Sequence, residues 1–326
     1  MLIDSFNRVH DYLRISLTDA CNFRCFYCMP NEEIEVSPQD KLMTKEEVYQ
    51  LAKIFVELGV KKIRLTGGEP LVRKDFGEII QSLATFGIEL TITTNGMLIH
   101  RYIDDFKKAG IHSINVSLDS LDAKNFFSIT KRNEFQTVFN NIHLLLKNNF
   151  YVKVNMVVMR GVNEHEINKF VEWTKDLPLH IRFIEFMPFT ANRWMSEKVF
   201  TYKEIIESIS QEFEFIKLQD EKNATAKKYK ALNHQGTFAV ISTMSEPFCS
   251  TCNRIRLTAD GKIKNCLFSK NEDDLLTQLR EGKDVKEIII KNIYSKAKAQ
   301  GGQLQQDFSK INTDTLKNRS MISIGG

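Results

Sequence analysis

Six short runs rich in apolar and β-branched residues fall at 13–17, 62–66, 90–94, 113–118, 152–158 and 181–186. Such runs suit the strands of a parallel sheet buried on both faces. Helical patterns lie between them. Thr44 and Glu47 form a capping-box signature ahead of Val48, Leu51, Ala52, Phe55 and Leu58, and Gly59 follows as a stop. Asp75 precedes Phe76, Ile79, Ile80 and Leu83, with Gly87 behind them. Two more stripes run through Phe135, Val138, Phe139, Ile142 and Leu145, and through Ile167, Phe170, Val171 and Thr174. Apolar stripes at this spacing are core packing. The expected fold class is α/β, a partial (β/α)6 TIM-like barrel rather than a Rossmann sheet. The spacing of the units is irregular, so the architecture repeats and the sequence does not.

In such barrels the loops leaving the C-terminal strand ends build the site. Here those ends carry Cys21, Cys25 and Cys28, a Gly-Gly-Glu-Pro run at 67–70, Thr93 to Gly96, Ser117 and Asp119, Arg160 and Gly161, and Glu185 to Pro188. After residue 200 the pattern changes. Residues 222–230 are polar and basic and read as a solvated loop, whereas 236–243, 255–258 and 262–266 read as short strands. The tail from Arg280 reads as helical and basic, and it ends in Gly325 and Gly326. The expected division is 1–220 for the barrel and 221–326 for a smaller C-terminal domain.

The six cysteines form two groups of three: Cys21, Cys25 and Cys28, then Cys249, Cys252 and Cys266. No apolar export segment is visible in residues 1–10, and a chain this long does not need disulfide staples. Each group therefore reads as a metal site. The first has the spacing C-x3-C-x2-C. Three thiolates suit either zinc with a further ligand or an iron–sulfur cluster with one iron left open. Composition narrows the class further. With 42% hydrophobic and 26% charged residues the chain is globular, and no apolar run approaches the roughly 20 residues of a membrane helix. A net charge of +4 is weak support for a nucleic-acid partner. The expectation is a cytoplasmic protein with no membrane and no nucleic-acid partner.

The first triplet follows the first strand, has Tyr27 just before its last cysteine, and is succeeded by Gly-Gly-Glu-Pro after the next strand. In this combination the chain resembles the radical S-adenosylmethionine (SAM) enzymes. That resemblance implies a 4Fe-4S cluster on Cys21, Cys25 and Cys28, with SAM chelating the open iron and yielding methionine and a 5′-deoxyadenosyl radical. It also implies SAM contacts from Gly68, Ser117 and Met187, and from Tyr27 through its backbone.

The second triplet, in Cys249-Ser-Thr-Cys252-Asn-Arg254-Ile255-Arg256 with Cys266 beyond, is a weak signal alone. Paired with the first it becomes specific. From Leu13-Arg14 through Arg182-Phe-Ile-Glu-Phe-Met187 to the terminal glycines, the chain resembles the molybdenum cofactor biosynthesis protein A family, the GTP 3′,8-cyclases. The resemblance implies a second 4Fe-4S cluster on Cys249, Cys252 and Cys266 that faces the barrel mouth and holds the guanine of GTP. It implies GTP contacts from Arg14, Lys62, Arg64, Thr93, Lys153, Arg182, Arg254, Ile255 and Arg256, and catalytic roles for Arg14, Arg254, Arg256, Gly325 and Gly326. The implied reaction converts GTP to 3′,8-cyclo-7,8-dihydro-GTP, starting with loss of the ribose C3′ hydrogen. Further implications are a homodimer, an electron donor of unknown identity and a next enzyme that forms the cyclic pyranopterin. Read without the family, a terminal Gly-Gly is a frayed end and a lone Arg or Lys a surface charge. Cations on buried strands are costly unless paired, which favours the ligand reading.

Departures are small: Ala20 stands where many relatives carry Arg, and a variable loop begins at Pro188 and Phe189. The competing readings are a radical SAM peptide-modifying enzyme with an auxiliary cluster, and a zinc protein without enzymatic activity.

Overall fold

The computed structural model describes residues 1–29, 37–190, 192–304 and 307–325. Pro30 and Gly326 lie outside the described residues. The strands are β1 (Tyr12–Ser16), β2 (Lys62–Thr66), β3 (Glu89–Thr94), β4 (Ser113–Ser117), β5 (Tyr151–Val158), β6 (His180–Glu185), β7 (Phe215–Lys217), β8 (Lys227–Ala231), β9 (Thr237–Ile241), β10 (Arg254–Leu257), β11 (Lys262–Lys264) and β12 (Asp273–Asp274). The helices are α1 (Lys45–Glu57), α2 (Phe76–Ala84), α3 (Ile103–Lys108), α4 (Ala123–Thr130), α5 (Phe135–Lys147), α6 (Ile167–Glu172), α7 (Tyr202–Ser210), α8 (Leu275–Arg280), α9 (Lys286–Tyr294) and α10 (Met321–Ile324).

The twelve strands among the described residues join one sheet, in the order β12-β11-β10-β1-β2-β3-β4-β5-β6-β9-β8-β7. From β10 through β9 every neighbour is parallel. The sheet is not closed, as a partial barrel requires. Strands from the C-terminal part extend it on both edges: β10 lies beside β1, with Tyr12 opposite Arg254, and β9 lies beside β6, with His180 opposite Thr237. The helices start as the sequence suggests, with one difference. Thr44 and Glu47 form the reciprocal capping box of α1. Asp75, however, does not cap α2 with its side chain. It pairs instead with Arg73 at 2.7 and 3.1 Å, and Arg73 donates to Leu17 O at 2.8 Å, tying α2 to the end of β1.

Strand alternation decides where the core and the cavity sit. Leu13, Ile15, Ile63, Leu65, Ile92, Ile114, Val116, Val152, Val154, Ile181 and Phe183 are fully buried in the apolar layer formed with Val48, Leu51 and Phe55 of α1 and Phe76, Ile79 and Ile80 of α2. The intervening residues, among them Arg14, Arg64, Thr93, Asn115, Lys153, Asn155 and Arg182, line the barrel interior. In closed barrels that interior is filled by branched apolar side chains. Here it is polar, which leaves it for a ligand.

One sequence reading is corrected. Residues 222–230 do not form only a solvated loop, because β8 begins at Lys227 and runs antiparallel to β9. Its lysines alternate with Tyr229 and Ala231, which are buried, and Tyr229 stacks on Phe238 at 5.4 Å. A high lysine count masked a period of two.

Candidate active site

At the upper, C-terminal ends of the strands the loop carrying the first cysteine triplet is braced by its neighbour. Gly68 N donates to Thr18 O at 2.7 Å and Glu69 N donates to Ala20 O at 2.9 Å. A Cβ on Gly68 would lie 2.5 Å from Ala20 O and 2.8 Å from Asp19 O. Glycine is thus needed to seat one loop against the other, beyond any approach to a ligand. Glu69 is buried and accepts from Leu71 N (3.0 Å), Thr94 Oγ1 (2.8 Å) and Asn95 N (2.6 Å). Burial nevertheless raises its carboxyl to about 7. Across the opening, the Tyr27 hydroxyl donates to Asp119 at 2.6 Å, and Val157 N donates to the same carboxylate at 2.9 Å. Ser117 ends β4 opposite Asn155, and Met187 lines the cavity beyond β6. Arg160 is spent on structure, donating to Glu197 O, Val199 O and Glu204.

The three thiols crowd one another. Burial and then Glu69 raise Cys21 to about 11, while burial, the neighbouring thiols and Asp119 push Cys25 and Cys28 well above the ordinary thiol range. Three half-buried thiols that oppose each other's ionisation are the donor set a positively charged metal centre stabilises as thiolates. Among the described residues no three His, Cys, Asp or Glu side chains converge on one ion-sized point. A four-iron cluster does not ask for that convergence, since each thiolate takes its own iron.

The second triplet sits at the other end of the barrel. Cys249 and Cys252 precede β10, which runs parallel to β1, and Cys266 follows β11, which runs antiparallel to β10. All three thus lie at the level of the strand starts, not at the mouth where the first triplet lies. Cys249 Sγ accepts from Gln300 N at 3.4 Å. Burial pushes the Cys252 thiol up, but Arg254 and Lys296 beside it more than reverse this and bring it to about 6.

Between the triplets lies a cavity of about 1060 Å³ lined by Arg14, Thr93, Asn115, Asn155, Arg182 and Met187, with Cys249, Cys252, Arg254, Arg256 and Cys266 on its other side. A second cavity of about 1300 Å³ shares Arg14, Arg182 and Arg254 with it and opens at the strand starts past Tyr12, Lys62, Arg64 and Lys153. Positive charge here outruns its partners. Lys62 pairs with Glu89 at 2.6 Å. Burial lowers Arg14; burial and then Arg182 bring Lys153 to about 7, burial and then Arg64 bring Arg182 to about 10, and burial and then Arg14 bring Arg256 to about 9. Arg64 is held by Tyr12, Ile92 O and Thr93. Tyr12 lies within cation–π range of Arg14, Lys62 and Arg64, and although burial opposes it, Arg64 and Arg14 bring its hydroxyl down to about 7. Among the described residues, Arg14 Nε, Arg182 Nε, Asn115 Oδ1 and Asn155 Oδ1 are buried without a hydrogen-bond partner. Native interiors leave few such atoms unsatisfied, so these four mark a ligand's place.

The strand pattern corrects one expectation and extends another. Ile255 is fully buried in the apolar layer, because alternation turns it away from the cavity that Arg254 and Arg256 line. Its side chain has no access to a ligand there. The tail, by contrast, is packed and not frayed. Arg319 forks onto Asp260 (2.8 and 2.9 Å) and Glu272 (2.8 Å), Met321 lines the cavity, and Ile324 and Gly325 are buried. The Gly325 carbonyl accepts from Arg256. Sequence reasoning passed over Tyr12, Asn115, Asn155, Gln300 and Lys296. The two asparagines carry a legible signal, a polar residue inside an apolar strand.

A profile of the radical SAM superfamily matches residues 15–174, and one described as Molybdenum Cofactor Synthesis C matches residues 179–301. The chain is 44% identical to "GTP 3′,8-cyclase, mitochondrial" of Arabidopsis thaliana, over all of this chain and 84% of that one. It is 40% identical to "GTP 3′,8-cyclase" of Desulforamulus reducens, over 90% of this chain and 94% of that one. The chain belongs to the GTP 3′,8-cyclase family of radical SAM proteins. It is also 44% identical to "Molybdenum cofactor biosynthesis protein 1" of Homo sapiens over 99% of this chain, and it spans about half the length (51%) of that relative. Among solved structures, Streptococcus suis SuiB bound to S-adenosylmethionine aligns with TM-score 0.63 and 16% identity, covering 88% of this chain and 68% of that one, a likeness of fold alone. No helix among the described residues is long and apolar enough to cross a membrane.

Proposed function

We propose that this chain is a radical SAM GTP 3′,8-cyclase, converting GTP to 3′,8-cyclo-7,8-dihydro-GTP in molybdenum cofactor biosynthesis. The observation that carries the proposal is the buried set of cations, with four polar atoms that find no partner among the described residues, lying between two cysteine triplets at opposite ends of one barrel. Cys21, Cys25 and Cys28 would hold one 4Fe-4S cluster, and Cys249, Cys252 and Cys266 the other. When bound, the first cluster and SAM supply radical chemistry at the upper end.

The chain's own residues bind, orient and enclose. Arg14, Arg64, Lys153 and Arg182 offer the positive charge a triphosphate needs, Arg through planar, two-pronged contact. Thr93 already accepts from Arg64 and fixes its height in the barrel. Lys62, paired with Glu89, is a lesser contributor. Asn115 and Asn155 stand beside the SAM side of the cavity, where a neutral amide suits ribose hydroxyls. Arg254 and Arg256 face the substrate from the second triplet's side. The tail fills space that water would otherwise occupy, and Gly325 O is positioned by Arg256. Gly68, Ser117, Met187 and the backbone of Tyr27 frame the SAM side. The product would pass to an enzyme that forms the cyclic pyranopterin; the electron donor is a separate component, and a homodimer is the proposed assembly.

The test is anaerobic turnover with SAM, a reductant and each nucleoside triphosphate in turn, with product analysed by mass spectrometry. Cyclised product from GTP alone is expected. Equal turnover of all four, or none with GTP while 5′-deoxyadenosine still forms, would remove GTP as the substrate.

A further inference from the structure

Away from the cavity, a line of buried polar side chains runs from the N-terminal segment to the second cysteine triplet, and the proposed reaction makes no use of it. His10 Nε2 donates to Asp4 at 2.9 Å, and Arg8 Nε donates to the same oxygen at 2.6 Å. On the other side of that imidazole, Lys296 Nζ lies 3.5 Å from His10 Nδ1. Lys296 also donates to Arg254 O at 2.9 Å and to Cys252 Sγ at 3.4 Å. Asp4, His10 and Lys296 are 2%, 1% and 2% exposed. The order is carboxylate, imidazole, ammonium, sulfur, with each group facing the next.

Arg8 anchors the same region from the side. Its two terminal nitrogens donate to Cys249 O, Lys298 O and Ala297 O, each at 2.8 Å. Residues 4–10 thus hold both the backbone of Cys249 and the segment that carries Lys296. A buried ammonium is costly unless charge and hydrogen bonds compensate it. Of the groups Lys296 contacts, the Cys252 sulfur is the one that can carry a negative charge, and it is a proposed cluster ligand.

We infer that Lys296 is a positioning residue for the second iron–sulfur cluster, its ammonium donating to the ligating sulfur of Cys252 and raising that cluster's reduction potential, with Asp4 and His10 orienting it. Iron–sulfur potentials follow net charge and the hydrogen bonds made to the sulfurs. A cationic donor favours the more negative, reduced state. The inference rests on the two-cluster reading, and its experiment separates the two.

Full-length chain is reconstituted anaerobically, its iron counted, and each cluster's potential followed by spectroscopic redox titration, with SAM added to mark the first cluster's wave. Wild-type chain should hold about eight irons (two clusters of four). In Lys296→Met the wave that SAM does not perturb should move to lower potential while the other stays. Lys296→Gln, which keeps a neutral donor, should move it less. Iron retained with both waves unmoved, or both moved equally, overturns the inference. Should Lys296→Met lose the second cluster, the Lys296→Gln wave decides by the same rule. About four irons in the wild-type chain would instead overturn the two-cluster reading, and the inference with it.

Discussion

Replacing Gly325 with Ala should undock the tail while leaving the barrel folded. The added Cβ would collide with Thr66 Oγ1 and lie 3.2 Å from Ser16 Cβ, both on strand ends that cannot retreat. Thr66 is 1% exposed and donates to Ile15 O at 3.3 Å. The backbone adds a second penalty, because Gly325 has φ +82° and ψ 118°. Residues held in sparsely populated conformations cost roughly 1–3 kcal/mol, and overpacking a filled space costs about 1–3 kcal/mol more. The sum, ~2–6 kcal/mol, falls on docking and not on the sheet, since α10 is four residues long and pairs with none of its strands. At 1.4 kcal/mol per decade, even the low end lowers the docking equilibrium constant roughly thirty-fold. The assay pairs limited proteolysis of the tail with turnover and thermal unfolding. Faster cleavage near Arg319, a large fall in cyclised product and a nearly unchanged melting temperature are expected. Adding Thr66→Ala removes the collision but not the dihedral penalty, so the double variant should recover part of the loss. A Gly325→Ala chain with wild-type turnover and a protected tail would refute the reasoning.

Arg256→Ala should weaken GTP binding and loosen the tail while iron content and SAM binding persist, so unchanged GTP affinity by calorimetry would take Arg256 out of the substrate site. Lys153 and Tyr12 both sit near 7 in the ligand-free cavity. A bound polyanion raises both, favouring ammonium over amine and phenol over phenolate. GTP affinity should therefore be greatest below about pH 7 and fall as pH rises through and above it, with protons taken up on binding. Lys153→Arg and Tyr12→Phe should each flatten that fall, and a flat profile in the wild-type chain would contradict the assignment. Arg319→Ala removes the fork onto Asp260 and Glu272 and should reproduce the Gly325→Ala pattern without altering either cluster; a tail still protected from protease would argue against the fork as its anchor. Gly68→Ala should lower iron retention at the first triplet selectively, because its Cβ meets the carbonyls of Asp19 and Ala20; full iron content would mean that the loop yields more easily than its hydrogen bonds suggest.

Much of the barrel was legible because each strand keeps an apolar row for the helices. Residues 62–66 coincide with β2, and the other five predicted strands differ from the observed ones by one residue at one or both ends. What alternation hid was the opposite row. Arg14, Asn115 and Asn155 share strands with Leu13, Ile114 and Val154, and only the sheet's curvature tells which row faces an interior. β8 was missed because its lysines outweigh Tyr229 and Ala231 in any composition-based reading. The cysteine triplets were legible from spacing, but their placement at opposite ends was not, since it depends on β10 pairing parallel to a strand 242 residues away. Lys296 and Gln300 gave no local signal, as their partners are far off in the chain.

The pairing of β10 with β1 and of β9 with β6 also sets an order of events. When the first six strands leave the ribosome, both outer edges of their sheet stand open, and the residues that cover them are made later. Pairings this distant in sequence close slowly, and exposed edges invite association with other chains in the meantime. The first cysteine triplet, near the beginning, is available long before the second. The first set of thiols is thus complete while the second is still to be made, and the tail, latched by Arg256 across strands already in place, arrives after both.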